Sequence, residues 1–194
     1  MNVTLYSDAS LCQKTGVAAW AGWVKSDRGT TRAHGVLKAK TTDTTIAEAM
    51  AVVNMISVAL KQEQLCDQDL LVIVTDNDNV MSVLHGDARR KPHRKSAARR
   101  RISVEQRRVI AEAANQLIGE ISGAYSNILD RHQLVVRWYH VKGHRGTGDK
   151  RSAVNHGCDE RAKQALALGR KQHQDQQQRK RRQRKRRRRA TTNK

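Results

Sequence analysis

Residues 70–76 read Leu-Leu-Val-Ile-Val-Thr-Asp, an unbroken apolar run closed by a threonine and an acid. A run of this kind at strand length predicts a strand buried on both faces, as at the centre of a sheet with parallel neighbours. Asp76 then stands at the C-terminal end of that strand, where open α/β sheets form their binding crevice.

Upstream, Val3, Leu5 and Ser7 alternate with Thr4 and Tyr6, which predicts a first strand that contains Asp8. Residues 16–24 (GVAAWAGWV) and 30–37 predict two more strands, joined as a hairpin by the turn residues Asp27-Arg28-Gly29. Thr44 or Thr45 can cap a helix in which Ile46, Met50, Val53, Ile56 and Leu60 recur at helical spacing, with Glu48 near its start. Downstream, a short helix over 77–84 precedes a basic segment, and Ser103 with Gln106 makes a capping box. A long amphipathic helix follows, marked by Val109, Ala113, Leu117, Ile121, Ala124 and Ile128. Residues 134–140 (LVVRWYH) predict a fifth strand, and a last helix carries Asp159, Ala162, Ala165 and Leu166. The order β-β-β-α-β-α-α-β-α predicts an α/β fold, a five-stranded mixed sheet flanked by helices.

The chain has 194 residues, 38% of them hydrophobic and none of them Phe, so the expected core is one aliphatic body. It lacks a run of eighteen apolar residues, so no membrane span is expected. The start, MNVTLYSDAS, has no secretory pattern. Cys12, Cys66 and Cys158 are odd in number and widely spaced, which suits a reducing compartment better than a disulfide framework. The expectation is a cytoplasmic monomer.

The formal net charge is +20, but it is unevenly spread. Residues 170–194 carry +12, residues 89–108 carry +9, and the remainder is close to neutral. Two basic attachments on a neutral body point to a polyanion, most simply nucleic acid. The tail, RKQHQDQQQRKRRQRKRRRRATTNK, has no apolar periodicity and is expected to be disordered when free. The folded body is therefore placed at residues 1–169, with a basic protrusion at about 87–108, and the Lys/Arg-rich tail at 170–194.

Four acids fall where this fold would gather them: Asp8 inside the first strand, Asp76 at the end of the central strand, and Glu48 and Asp159 on helices. Each has a bland alternative, except that a charge within a short apolar strand needs a reason. Asp76 could cap a helix, Glu48 could be a helix-start acid, and Asp159 could pair on the surface with Arg161 or Lys163. Together, several carboxylates in one crevice repel unless a cation lies between them. Hard oxygen ligands suit Mg²⁺, or Mn²⁺ as a substitute.

Five ordered blocks resemble type 1 ribonuclease H: Tyr6-Ser7-Asp8-Ala9-Ser10, Ala47-Glu48-Ala49-Met50-Ala51, Val74-Thr75-Asp76-Asn77, Val141-Lys142-Gly143-His144-Arg145-Gly146, and Asn155-His156-Gly157-Cys158-Asp159-Glu160-Arg161-Ala162. The resemblance covers nearly all of residues 1–169 and implies the ribonuclease H-like fold. It implies an endonuclease that cuts the RNA strand of RNA/DNA hybrids, leaving 5′-phosphate and 3′-hydroxyl ends with two Mg²⁺ ions. Asp8, Glu48, Asp76 and Asp159 fall on the family's four metal-binding carboxylates, with Asp8 bridging both ions. Glu48 and Asp76 would serve the ion at the leaving oxygen, and Asp76 and Asp159 the ion at the attacking water. His144 falls on a loop histidine that helps proton transfer or product release, and Asn155 would orient that loop or the last acid. Backbone groups near Ala9, Ser10 and Leu11, together with Glu48, are candidates for reading the 2′-hydroxyl. The chain departs from the family's usual pattern where Ala9 replaces Gly, where Thr44 and Thr45 stand for polar Asn residues, and where Asp78 replaces a Gln. The loop from Arg145 to Val154 is longer than usual.

Further substrate contacts are expected from Thr44, Thr45, Asn77 and Asn155, and from Arg89, Arg90, Lys91, Arg94 and Lys95 of the protrusion. The protrusion has no tryptophan, so its grip would be mainly electrostatic. The tail reads as a nucleic-acid arm, a localisation signal or a solubilising end. His140 and His144 have a spacing that binds zinc on a helix, but here they span a strand end and a loop. Trp20, Trp23 and Trp138 read as core or rim residues, and Cys158 as a small packed one. Two rivals to the hybrid nuclease stay open: a nuclease of the same fold with another substrate, such as a DNA junction or double-stranded RNA, and a non-catalytic nucleic-acid-binding module. The intact set of four acids argues against the module.

Overall fold

The structure is a computed structural model that describes residues 1–91, 103–141 and 150–192, with side chains through residue 184. Five strands form one mixed sheet: β1 (Asn2–Cys12), β2 (Val17–Ser26), β3 (Gly29–Val36), β4 (Leu70–Thr75) and β5 (Val135–His140). Their order is β3-β2-β1-β4-β5. The first three are an antiparallel meander, and β4 and β5 add in parallel to β1. The helices are α1 (Thr44–Lys61), α2 (Asn79–Leu84), α3 (Val104–His132) and α4 (Lys150–Thr192).

Alternation in β1 divides its side chains between the two faces of the sheet. Val3 and Leu5 join Ile46, Val52, Met55 and Ile56 of α1 and Ile118, Ile121 and Tyr125 of α3 in the main core. Tyr6 faces the other way and packs with Val74, Val141 and Cys158 of α4. Both faces of β1 and β4 are thus covered, which is why the run at 70–74 is apolar throughout. Gly22 keeps α1 close to the sheet, since a Cβ there would come within 2.7 Å of Met55. By length and hydropathy α1 could cross a membrane, yet Ile46, Ala47, Ala49, Ala51, Val52, Met55, Ile56 and Ala59 are buried and pack in the core.

One local expectation is corrected. The N-cap of α1 is Asp43 rather than Thr44 or Thr45, because its carboxylate accepts from the Ile46 amide at 3.3 Å. Helix α4 runs on past the packed body to Thr192. The body anchors the start of that helix through buried Asn155, Cys158, Ala162, Ala165 and Gly169. Gln, Lys and Arg are good helix formers and carry the same turn onward. From Arg170 to Arg184 every residue but His173 is exposed, and His173 Nε2 lies 3.1 Å from Lys40 Nζ, so one contact with the body and helix propensity accompany the extension.

One polar knot ties the hairpin to the start of β4. Asp69 is 2% exposed. It accepts from Arg28 Nη1 at 2.5 Å, the Met1 ammonium at 2.7 Å and the Cys66 amide at 2.9 Å. Burial alone would raise its pKa, but these donors outweigh burial and hold the carboxyl well below its usual range. Asp69→Ala leaves Arg28 without its partner and should cost about 3 kcal/mol in urea unfolding at neutral pH. A depressed carboxyl stabilises above its unfolded pKa and loses that effect as pH falls. The two proteins should therefore converge in strong acid, and an equal gap at all pH values would refute the ionic account.

Candidate active site

The parallel register of β1 and β4 sets the site. Tyr6 lies opposite Val74 as the last pair of that ladder. Asp8 and Asp76 each follow two residues later in their own segments, so they emerge side by side where the β1–β4 ladder ends, on the face that α4 covers. Beyond Tyr6, β1 pairs only with β2, with Asp8 opposite Ala21, and its other edge opens into the crevice. Cys158 packs against Tyr6 and Val74, which brings the adjacent Asp159 to the same place. Glu48, one turn into α1, reaches the cluster from the other side of the sheet.

The electrostatics reflect that convergence. Asp8 is raised to about 7, first by burial and then by Asp76 and Asp159, against the Ala9 amide, which donates to Asp8 Oδ1 at 2.7 Å. Glu48 is also raised to about 7, first by burial and further by Asp8 and Asp76, while the Asn77 amide opposes the shift. The four carboxylates expected from the sequence are therefore one coupled group.

Side-chain amides and cations hold the group in place. Asn77 Nδ2 donates to Glu48 Oε2 at 2.6 Å and to Thr45 Oγ1 at 3.4 Å. Asn155 is 6% exposed, and its Nδ2 donates to Asp76 Oδ2 at 3.2 Å. Lys163 Nζ donates to Asp159 Oδ2 at 2.6 Å and to Glu160 Oε1 at 3.1 Å. His140 Nε2 lies 3.3 Å from the Asp76 carbonyl oxygen. His156, Asp159 and Glu160 also place their ligand atoms within 4.8 Å of one another.

The residues fit divalent metal. The donor set is hard oxygen, and two of its carboxyls are pushed toward neutrality by one another and by burial. Asn155 Oδ1, buried beside Asp76, has no hydrogen-bond partner among the described residues.

Other sequence candidates are distributed around this group. Ser10 and Leu11 sit half-buried in the β1–β2 ladder opposite Ala19 and Ala18, and Thr44 is exposed at the start of α1. Asn77 and Asn155 are engaged with Glu48 and Asp76 rather than pointing to substrate alone. Arg90 pairs with Asp43 at 2.5 Å, and its amide donates to Asn115 at 2.7 Å, so it clamps the α1 cap to α3. Arg89 Nη1 donates to the Gly86 carbonyl at 2.6 Å, and Lys91 is exposed. His144, Arg94 and Lys95 lie outside the described residues. Lys163, by sequence a surface partner of Asp159, holds a carboxylate of the cluster, and its i, i+4 spacing is the signal for that contact.

This sheet order, with acids inside β1 and at the end of β4 and on the two flanking helices, defines the ribonuclease H-like fold. The family model for RNase H matches residues 1–167, and the chain belongs to the RNase H family. It is accordingly a ribonuclease H-type enzyme, from a family that is generally dependent on divalent metal. No curated protein sequence matches it. Among solved structures, it is similar to the N-terminal RNase H domain of rv2228c from Mycobacterium tuberculosis, solved as a fusion with maltose-binding protein. The TM-score is 0.54 at 12% identity, over 89% of this chain and 98% of that one. It is also similar to LC9-RNase H1, a type 1 RNase H with the type 2 active-site motif, with TM-score 0.52 at 18% identity over 87% of this chain and 73% of that one. LC11-RNase H1, from a compost metagenome and solved with an RNA/DNA hybrid, gives a TM-score of 0.50 at 13% identity, over 86% and 97% of the two chains. At these identities the structures agree in fold.

Raised carboxyls make the metal-free protein pH-sensitive. The folded state retains protons on Asp8 and Glu48 that the unfolded chain releases, so their contribution is full near pH 4 and is lost as pH rises through about 7. In chelator, Asp8→Asn should raise stability by about 1–2 kcal/mol at pH 8, allowing for solvent screening, and by almost nothing at pH 4. Thermal unfolding of both proteins at the two pH values measures this. A variant no more stable than the parent at pH 8 would contradict the repulsion.

Proposed function

We propose that the protein is a metal-dependent endonuclease that hydrolyses the RNA strand of RNA/DNA hybrids, leaving 5′-phosphate and 3′-hydroxyl ends. The observation that carries this reading is the β1–β4 register that gathers Asp8 and Asp76, with Glu48 and Asp159 coupled to them, in a chain of the RNase H family. Asp8, Glu48, Asp76 and Asp159 would hold two Mg²⁺ ions, with Mn²⁺ as a substitute. When bound, such ions supply positive charge to the attacking and leaving oxygens of a phosphodiester displacement.

The chain's own residues prepare that site. Asn77 keeps Glu48 turned toward the strand ends, and Asn155 does the same for Asp76. The Ala9 amide orients Asp8. Carboxylates restrained in this way lose less freedom when ligands bind, and outer partners of this kind commonly govern metal affinity. Lys163 offsets the charge on Asp159 until the site is filled. The basic protrusion and tail would hold the polyanionic substrate, and the three free thiols suit a monomer in the reducing cytoplasm.

Labelled RNA/DNA hybrid, double-stranded RNA, double-stranded DNA and a DNA junction, each incubated with Mg²⁺ or chelator, test the assignment. Only the hybrid should be cut, only with metal, and Asp8→Asn should lower the rate by at least about 10²–10³-fold. Cutting of the junction alone would transfer the enzyme to another substrate class, and binding without cutting would remove it from the enzymes. For the tail, deleting residues 171–194 should flatten the plot of log K against log salt by about 4 to 5 if about six cations meet phosphates. An unchanged slope would leave the tail without a role in binding.

A further inference from the structure

A second cleft lies under α4, on the β2–β3 side of the carboxylate cluster. Its volume is about 250 Å³, and Trp23, Arg32, Val154, Gly157, Cys158 and Arg161 line it. Two of these residues are arginines from different elements, Arg32 on β3 and Arg161 on α4. Arg32 is held by an aromatic face: its guanidinium carbon sits 5.5 Å from the centroid of Trp23. Trp23 is itself stacked on Tyr6, with centroids 5.7 Å apart and planes at 27°. Arg161 follows Gly157 and Cys158 at helical spacings of four and three, so all three residues share one side of α4.

Both guanidiniums lie within electrostatic reach of the Cys158 thiol. Among the described residues, neither is paired with a carboxylate. Two positive forks therefore converge on one cleft and leave their donors available. Planar forks of this kind match the tetrahedral oxygens of phosphate, two bonds at a time. Asp8 also acts on Cys158, so the positive cleft adjoins the negative cluster.

Gly157 supplies a separate observation. It lies inside α4, where glycine costs roughly 1 kcal/mol relative to alanine. A Cβ there would meet no described atom within 4 Å, so close packing does not explain the residue. Its missing side chain leaves room at the cleft.

We propose that Arg32 and Arg161 form a phosphate-binding site separate from the carboxylate cluster. Its ligand is a phosphate group, either on a free phosphomonoester or in the backbone of a nucleic-acid strand. Because α4 supplies both Arg161 and Asp159, a phosphate held here sits against the helix that completes the nuclease site. The proposal is independent of which substrate the cluster cleaves.

The test is binding to the full-length protein in chelator, followed by ¹H–¹⁵N NMR. Adenosine monophosphate and an oligothymidylate are the two probes. The Trp23 indole and Gly157 amide resonances should shift with saturation. Arg32→Gln combined with Arg161→Gln should weaken the apparent affinity by about tenfold or more, as expected for loss of two charge-assisted contacts. Gly157→Leu, which fills the cleft and leaves both arginines in place, should weaken it as well. Lys61→Gln combined with Arg131→Gln, exposed in the last turns of α1 and α3, should leave it unchanged. Saturation by adenosine monophosphate alone identifies a free monoester as the ligand. Saturation by the oligothymidylate with the same arginine dependence identifies a strand. Absence of shifts at Trp23 and Gly157 with both probes at millimolar concentration would overturn the proposal. So would an affinity that the folded double arginine variant retains.

Discussion

The pairing of β1 with β4 is the constraint on which the molecule turns. A parallel ladder that ends at Tyr6 and Val74 places Asp8 and Asp76 together just beyond its last pair, Asp8 still paired with β2 and Asp76 past the end of β4. Two like charges so placed repel, and burial raises the cost of charging them. The fold tolerates this because Val3, Leu5, Leu71 and Ile73 on the same two strands are completely buried in the main core. Apolar burial lower on the strands thus offsets electrostatic strain at their ends, which is a common arrangement at functional sites.

The polar groups around the cluster share that work. Asn77 and Asn155 are neutral donors, so they orient Glu48 and Asp76 without cancelling the charge that a cation would meet. Lys163 carries full charge but lies on the exposed side of α4, where it can exchange with solvent. At the opposite end of the sheet Asp69 is surrounded by donors and its pKa falls, whereas burial first, and then neighbouring acids, raise those of Asp8 and Glu48. Buried carboxylates of one protein therefore serve opposite ends, one anchoring the hairpin and the others poised for ligands.

Net charge has to be read by location. The value of +20 belongs mainly to the protrusion and the tail, while the body has an acidic crevice. Arg32 and Arg161 add a small positive cleft behind that crevice. A polyanion would be attracted over a broad surface and admitted to the acids only where cations intervene.

Much of the molecule could be read from residue order alone. The apolar run at 70–74, the alternation in β1, the Ser103–Gln106 capping box and the helical spacing from Ile46 onward are local patterns, and local sterics and hydrogen bonding act on neighbours in sequence. The identity of the four acids was legible for a related reason, because a charge inside a strand or at its end stands out against apolar neighbours. Register, however, is a property of two strands, and no single segment states that Tyr6 meets Val74. The partners of Asn77, Asn155 and Arg90 were equally hidden, since each bond joins residues 25 to 79 positions apart. Composition and periodicity decide which surfaces must be buried. Only the closed sheet, by bringing distant segments within bonding distance, decides which polar groups meet at the site.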